Sequence, residues 1–329
     1  MLLAGDVGGT KTRLALYQSH AHGLEKVAME QFSSAKSPSL THLVEQFLAT
    51  NPSRIDAACF GVPGPVVGGH VKVTNLPWEL DERVLAKELG LRRVRLVNDL
   101  LATAASIPGL GADGIISLHP GDPLRDRTVS AVLAPGTGTG QAFLCSIGSK
   151  RSEAFAAEGG HVDFGPQNAT EDALVNFLRA KRETKRVRVE DLLCGPGIRN
   201  IYSFVKEVEK LPEPKDLADE LAQAADTATV ITKAALAHRF PICERTLEIF
   251  CQALASQAGN LVLTYMATGG LYLGGGIPPR ITELLSTPRV LECYLRKQPL
   301  QHVIERTPLY IIRDDHAAVV GAALIASQL

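Results

Sequence analysis

Residues 2–17 read LLAGDVGGTKTRLALY, and this stretch decides the fold. Two apolar runs, Leu2–Asp6 and Arg13–Tyr17, flank Gly8-Gly9, so the segment reads as two strands joined by a glycine turn that tolerates positive φ. Gly5-Asp6-Val7-Gly8-Gly9-Thr10 is not a Walker loop, because no Gly-Lys-Ser/Thr follows, and it is not a dinucleotide fingerprint. A strand–turn–strand of this kind still brings backbone N–H groups and the Thr10 hydroxyl close to phosphate oxygens. Asp6, ending the first strand, is placed to hold a hydrated Mg2+ beside them. The plainer alternative is a tight hairpin that needs glycine for geometry alone.

Outward from this hairpin, Val27–Phe32, Ala57–Gly61, Val66–Val73 and Val94–Val97 read as strands. Leu40–Ala49, Val84–Leu89 and Leu100–Ser106 read as helices, so the pattern is α/β with a mixed sheet. An echo follows in strand Val129–Ala134, turn Gly136-Thr137-Gly138-Thr139-Gly140 and strand Gln141–Cys145. Two glycine hairpins suggest a duplicated unit, and the pair fits two phosphate loops that clamp a nucleotide. From Thr170 the pattern is mostly helical: Glu171–Arg182, Ile198–Glu209, Leu217–His238 with breaks, and Arg245–Ala267. Strand Leu271–Leu273 then runs into Gly274-Gly275-Gly276. A last pair, strand Leu309–Ile312 and helix Ala317–Ala326, is expected to return to the first domain. At roughly 150 residues per domain, the 329 residues make two, 1–107 with 309–329 and 108–308.

Composition excludes several classes of function. Lys plus Arg number 34 against 35 Asp plus Glu, and a net charge of −1 gives no drive toward nucleic acid or an anionic membrane. A hydrophobic share of 45% suits a globular chain with a sizeable core. The six cysteines have no CxxC spacing, so neither zinc nor a redox pair is signalled and a reducing compartment is expected. The first residues lack a signal-peptide pattern, and the uncharged stretch Ile249–Pro279 is too polar to span a bilayer. Ser327-Gln328-Leu329 only loosely resembles a peroxisomal tripeptide, so the cytoplasm is the expected location. The basic run Arg179, Lys181, Arg182, Lys185, Arg186, Arg188 reads as a solvated helix end and loop, since no aromatics are interleaved.

Asn98-Asp99 ends an apolar strand and opens a helix. Asp99 is either an N-cap or a carboxylate at the carboxyl end of a strand, where α/β sites lie. In the second role it can accept a proton from a substrate hydroxyl during phosphoryl transfer, kept ionised by the helix dipole. Glu158-Gly159-Gly160-His161 puts an acid and an imidazole in one loop, with no second His or Cys at metal-ligand spacing. A carboxylate clamping adjacent sugar hydroxyls, with His as donor or acceptor, suits that loop better. Glu190 stands shortly before Gly195-Pro196-Gly197, where a dipole or cap partner is the plainer reading.

Taken in order, these motifs resemble those of the bacterial-type, ATP-dependent glucokinase family: Gly5–Thr10, Thr74-Asn75-Leu76-Pro77-Trp78, Val97-Asn98-Asp99, Gly136–Gly140, Glu158–Phe164, Glu190 with Gly195-Pro196-Gly197, and Leu273–Ile277. The resemblance implies a two-domain actin-like ATPase (ribonuclease H-like) fold, with duplicated mixed sheets flanked by helices and an interdomain cleft closing on ATP, Mg2+ and glucose. It implies Asp99 as catalytic base, with Asn75, Asn98, Glu158, His161 and Glu190 joining Asp99 on the sugar. Asp6, Gly8, Gly9, Thr10, Lys11, Gly136, Thr137 and Gly138 would form the phosphate loops, and Gly275 and Gly276 would lie beside adenosine. Lys11 stands where some members have Asn, and Cys194 where Ser is common. The related ROK sugar kinases carry a Cys-rich zinc motif near the sugar-binding His, and its absence here favours the zinc-free group. The expected activity is transfer of the ATP γ-phosphoryl group to the glucose 6-hydroxyl by a homodimer. The alternatives are a kinase for another hexose or an amino sugar, or a non-catalytic actin-like sugar sensor.

Overall fold

Two mixed sheets carry the chain, and they repeat one strand order. The computed structural model describes residues 1–20, 23–124, 128–148 and 151–329. Its first sheet holds β1 (Leu2–Val7), β2 (Lys11–His20), β3 (Gly23–Ser33), β4 (Ala57–Val62) and, after a ribbon of β5 (His70–Lys72) and β6 (Glu79–Asp81), β7 (Val94–Asn98). The order is β3-β2-β1-β4-β7, with β1 antiparallel to β2 and parallel to β4. The second sheet comprises β8 (Ile115–His119), β9 (Thr128–Pro135), β10 (Thr139–Ile147), β11 (Arg151–Ala157), β12 (Gly270–Leu273) and β13 (Leu309–Ile312). They run β11-β10-β9-β12-β13-β8, with β9 antiparallel to β10 and parallel to β12. The expected duplication is present strand for strand, and β8 is an added edge.

β1 and β4 are buried almost throughout because helices cover both faces. Alternation along β1 and β2 sends Leu3, Leu14 and Leu16 toward the helix Leu40–Thr50. The same alternation turns Leu2, Ala4, Ala15 and Tyr17 toward the helix Ala317–Ala326. The residues on that second face are mostly small, which lets the final helix lie close. The final helix also packs on the helix Asp99–Ala105, and Ala104 and Ala317 meet Val132, Ala134 and Ala142 of the second sheet. These two helices form the layer between the sheets, and packed helices of this kind are what slide during domain closure. Among the described residues no helix is long and apolar enough to cross a membrane.

Several expectations shift on inspection. Val66–Val73 is not one strand, because Gly68 and Gly69 take positive φ and turn the chain before β5. The breaks expected within Leu217–His238 do separate two helices, Lys215–Gln223 and Thr227–Leu236, the second capped by Asp226. β8 and β11 have no counterpart in the sequence reading; β11 is an edge strand rich in residues of low strand propensity. The expected returning pair is split. β13 pairs between β12 and β8 because Leu309 and Ile311 belong to the larger core, and only the helix Ala317–Ala326 returns to the first sheet. The chain therefore changes sheets after residue 312, not at 309.

Candidate active site

The ends of β1, β7 and β9 open on one cleft between the sheets, a cavity of about 830 Å³. Its wall contains Asp6, Gly8, Gly9, Asn75, Asn98 and Asp99 from one side, and Gly136, Thr137, Gly138, Glu158, His161, Glu190, Gly275 and Gly276 from the other. Thr10 and Lys11 are exposed and lie outside that wall. An adjoining cavity of about 1100 Å³ shares Gly136, Thr137 and Gly276 with the first. It is lined by Ile198, Leu236 and Ile277 together with Arg199, Thr229, Lys233 and Arg280. Sequence reading missed this second cavity, since its lining comes from separate elements and only Thr229 with Lys233, one helical turn apart, gave a local signal.

At the end of β7 the capping role falls to Asn98, not Asp99. The Asn98 Oδ1 accepts from the N–H groups of Leu100 at 3.0 Å and Leu101 at 3.3 Å, and its Nδ2 donates to the Gly64 carbonyl at 3.3 Å. One amide hydrogen of Asn98 is then left for a ligand. Asp99 takes one bond, from the Leu100 N–H at 2.9 Å, and is otherwise free toward the cleft. Burial pushes its carboxyl up to about 6; the Leu100 N–H opposes this, and the Asp6 and Glu158 carboxylates add to it. Burial thus outweighs the helix dipole, although Asp99 remains mostly ionised at neutral pH. Asp6 is also raised by burial, with the Arg13 guanidinium at 3.5 Å and His316 pulling it back.

The two hairpins are closed by their own backbones. The Gly8 N–H donates to the Lys11 carbonyl at 2.8 Å, and the Gly136 N–H to the Gly138 carbonyl at 2.8 Å. Asn75 adopts φ 64°, which Asn tolerates, and sits against Gly9. Gly275 has φ 78°, and a Cβ there would come within 2.5 Å of the Pro135 carbonyl oxygen, so only glycine fits. A Cβ on Gly138 would lie 2.5 Å from Glu190 Oε2. Glu190 therefore touches the second hairpin, and the Thr139 N–H donates to that same oxygen at 3.0 Å.

His161 and Glu158 share a short helical turn, with Nε2 and Oε2 3.8 Å apart. The basic run is not simply solvated: Arg182 and Arg188 both bind Asp191, and Arg186 bonds Asp163 and the His161 carbonyl. Cys194, the departure from Ser, caps the helix Gly195–Glu207 by accepting from the Gly197 N–H, while its thiol donates to the Glu190 carbonyl at 2.9 Å. Burial pushes that thiol up to about 11, so it stays protonated. The cap role considered for Glu190 is therefore filled by Cys194.

A solved glucokinase from an Antarctic psychrotroph superposes at TM-score 0.88 and 29% identity, covering 100% of this chain and 99% of that one. A ROK family glucokinase from Streptomyces griseus, in complex with glucose and AMPPNP, shares the fold at TM-score 0.62 and 16% identity over 100% and 99% of the two chains. The repeated sheets and their cleft thus define a protein of the actin-like fold shared by glucokinases and ROK sugar kinases. The family model described as Glucokinase matches residues 3–329, and the glucokinase of Nostoc punctiforme is 37% identical over 341 residues, spanning 100% of this chain and 99% of the relative. The chain belongs to the glucokinase family.

Proposed function

We propose that this cleft transfers the γ-phosphoryl group of ATP to the 6-hydroxyl of glucose with Asp99 as the base. The observation that carries the assignment is the division of labour after β7. Asn98 caps the helix, which leaves Asp99 half-buried, facing the cavity between the two hairpins, with a carboxyl near the working pH as a general base needs. Asp99 orients the sugar hydroxyl and takes its proton as the oxygen attacks phosphorus. Glu158, His161 and Glu190 hold other hydroxyls, with Asn98 and Asn75 at the opposite wall. Glucose and AMPPNP in the Streptomyces griseus relative support pairing a sugar with a nucleotide in a cleft of this fold.

The two hairpins would meet the phosphates through N–H groups other than those of Gly8, Gly136 and Thr139, which are already bonded. The larger cavity, apolar at Ile198, Leu236 and Ile277, would take adenosine beside Gly275 and Gly276. Asp6 suits a Mg2+ carried on ATP, because that ion needs only one or two protein carboxylates beside phosphate oxygens and water. Bound there, Mg2+ supplies charge neutralisation on the phosphates. Closure of the first sheet with its returning helix against the second sheet excludes water. A homodimer working in the cytoplasm is part of the proposal, and light scattering of the purified chain checks the oligomer. The test of the reaction is glucose-dependent ADP formation, run over a panel of hexoses, amino sugars and phosphoryl donors. Glucose with ATP is expected to give the highest kcat/KM; preference for an amino sugar would reassign the substrate, and no sugar-dependent ADP would leave a non-catalytic sensor.

A further inference from the structure

We infer that Arg188 is a positioning residue for the sugar site, one guanidinium that orients both His161 and Glu190. The inference rests on the placement of those two residues on the sugar. Val187 and Val189 are buried at 3% and 0% exposure, so the alternation between them turns Arg188 away from the core. The segment is zipped against the His161 loop: the Phe164 N–H donates to the Val187 carbonyl at 2.9 Å, and the Val189 N–H to the Val162 carbonyl at 3.0 Å. Arg188 thus lies between two loops that sequence separates.

Its donors are divided. Asp191, 7% exposed, accepts from the Arg188 N–H at 2.8 Å, from Nη2 at 2.9 Å and from Nε at 3.3 Å, and it also accepts from Arg182 Nη1 at 2.8 Å. These bonds outweigh the cost of burial and hold the Asp191 carboxyl below its usual range. The fork is therefore anchored on a buried, ionised partner. Nη1 is the nitrogen that Asp191 does not take, and it stands 3.1 Å from His161 Nδ1 and 3.6 Å from Glu190 Oε1.

Two chemical consequences follow from that one nitrogen. Arginine donates and never accepts, so Nδ1 of His161 must be the acceptor and the ring proton sits on Nε2. The Nε2–H then faces Glu158 Oε2 across 3.8 Å, too long for a direct bond, and a sugar hydroxyl there would accept from the imidazole and donate to the carboxylate. On the other side, the guanidinium charge compensates Glu190 while its second oxygen holds the Thr139 N–H. Without Arg188 the imidazole loses its set tautomer and Glu190 its counter-charge.

The experiment compares Arg188→Gln and Arg188→Lys with His161→Ala, Glu190→Gln and the double variant Arg188→Gln/His161→Ala, measuring KM for glucose, KM for ATP, kcat and thermal unfolding. The expected result for Arg188→Gln is a glucose KM raised roughly tenfold to a hundredfold, as loss of charge-assisted hydrogen bonds predicts. The ATP KM should stay near normal and kcat should change less. In the His161→Ala background the Arg188 effect should shrink, because the two residues act as a unit. Arg188→Lys keeps the charge but cannot fork between Asp191 and His161, so its glucose KM should rise too, and it decides the matter if Arg188→Gln does not fold. A normal glucose KM in a folded Arg188 variant overturns the inference, as does full additivity with His161→Ala. Normal glucose KM values in both His161→Ala and Glu190→Gln would instead overturn the sugar-site placement itself.

Discussion

The two glycine hairpins are alike in strand order and unlike in what holds them. The first is held by its own backbone and by the segment after β3, whose Ser34 N–H donates to the Thr10 carbonyl at 3.0 Å, with Asn75 lying against Gly9 and Arg13 beside Asp6. The second is tied to the sugar side of the cleft: the Thr139 N–H is on Glu190, its Oγ1 donates to the Leu193 carbonyl at 2.6 Å, and the Gly195 N–H donates to the Gly136 carbonyl at 2.9 Å. A repeat in sequence marks both hairpins proposed to meet the phosphates. In the proposed reaction the second hairpin, bonded to Glu190, is where sugar and nucleotide are most directly coupled.

Placing the same side chain in each hairpin should separate the two. The repeat by itself predicts that Gly9→Val and Gly138→Val both weaken ATP binding and spare glucose. The structure predicts otherwise for Gly138→Val, whose Cβ would collide with the Glu190 carboxylate. Displacing that group by about an ångström is enough to cost on the order of a hundredfold. Gly138→Val should therefore lose kcat/KM for glucose and for ATP together, while Gly9→Val, whose Cβ would press on Asn75 at 3.3 Å, weakens ATP binding and affects glucose far less. Calorimetric titration of both ligands into both variants checks this, and equal glucose affinity in the two variants would remove the asymmetry.

Next in size are the carboxylates themselves. Leaving sugar hydroxyls unpaired in a closed site costs about 1–3 kcal/mol each. Glu158→Ala and Glu190→Ala should raise the glucose requirement more than tenfold, and Glu190→Ala should also disturb ATP because it frees the Thr139 N–H. Glucose and ATP saturation curves separate the two variants. Wild-type curves for both would return these residues to ordinary loop roles.

Smaller again is the effect of pH. A base at about 6 must be ionised to accept a proton, so kcat/KM for glucose should hold above that value and fall about tenfold per pH unit below it. A profile flat down to pH 4.5 would mean that burial does not act on Asp99 in the working enzyme.

The residues proposed to carry the chemistry are legible because each motif is local. Gly8-Gly9, Gly136–Gly140, Asp99 and the Glu158–His161 loop carry their meaning within a few neighbours. Asn98 and Asp99 could not be told apart by sequence, since both are good caps and only the backbone decides which one turns back on the helix. The run Arg179–Arg188 reads as solvated charge because its arginines find their partners only in the fold, Arg182 and Arg188 on Asp191 and Arg186 and Arg188 on the Asp163 and His161 loop. The placement of Leu309–Ile312 failed for a similar reason: a short apolar strand fits either sheet until its neighbours are known.

In the proposed reaction Asn98 caps the helix so that Asp99 can act as the base, and Asp99→Asn separates these roles when turnover, glucose titration and thermal unfolding are measured on one preparation. General-base assistance is worth about a hundredfold or more, so kcat should fall at least that far while glucose still binds to the amide. Capping alone predicts unchanged stability, but burial predicts a gain. A carboxyl raised from 3.8 to about 6 stabilises the fold only while protonated, fully below 3.8, and that contribution is lost as pH rises through about 6. At pH 7 the uncharged amide should therefore be more stable by on the order of 1–3 kcal/mol, with the difference vanishing near pH 4. Near-normal turnover, or an amide variant less stable than the parent at pH 7, would contradict the account.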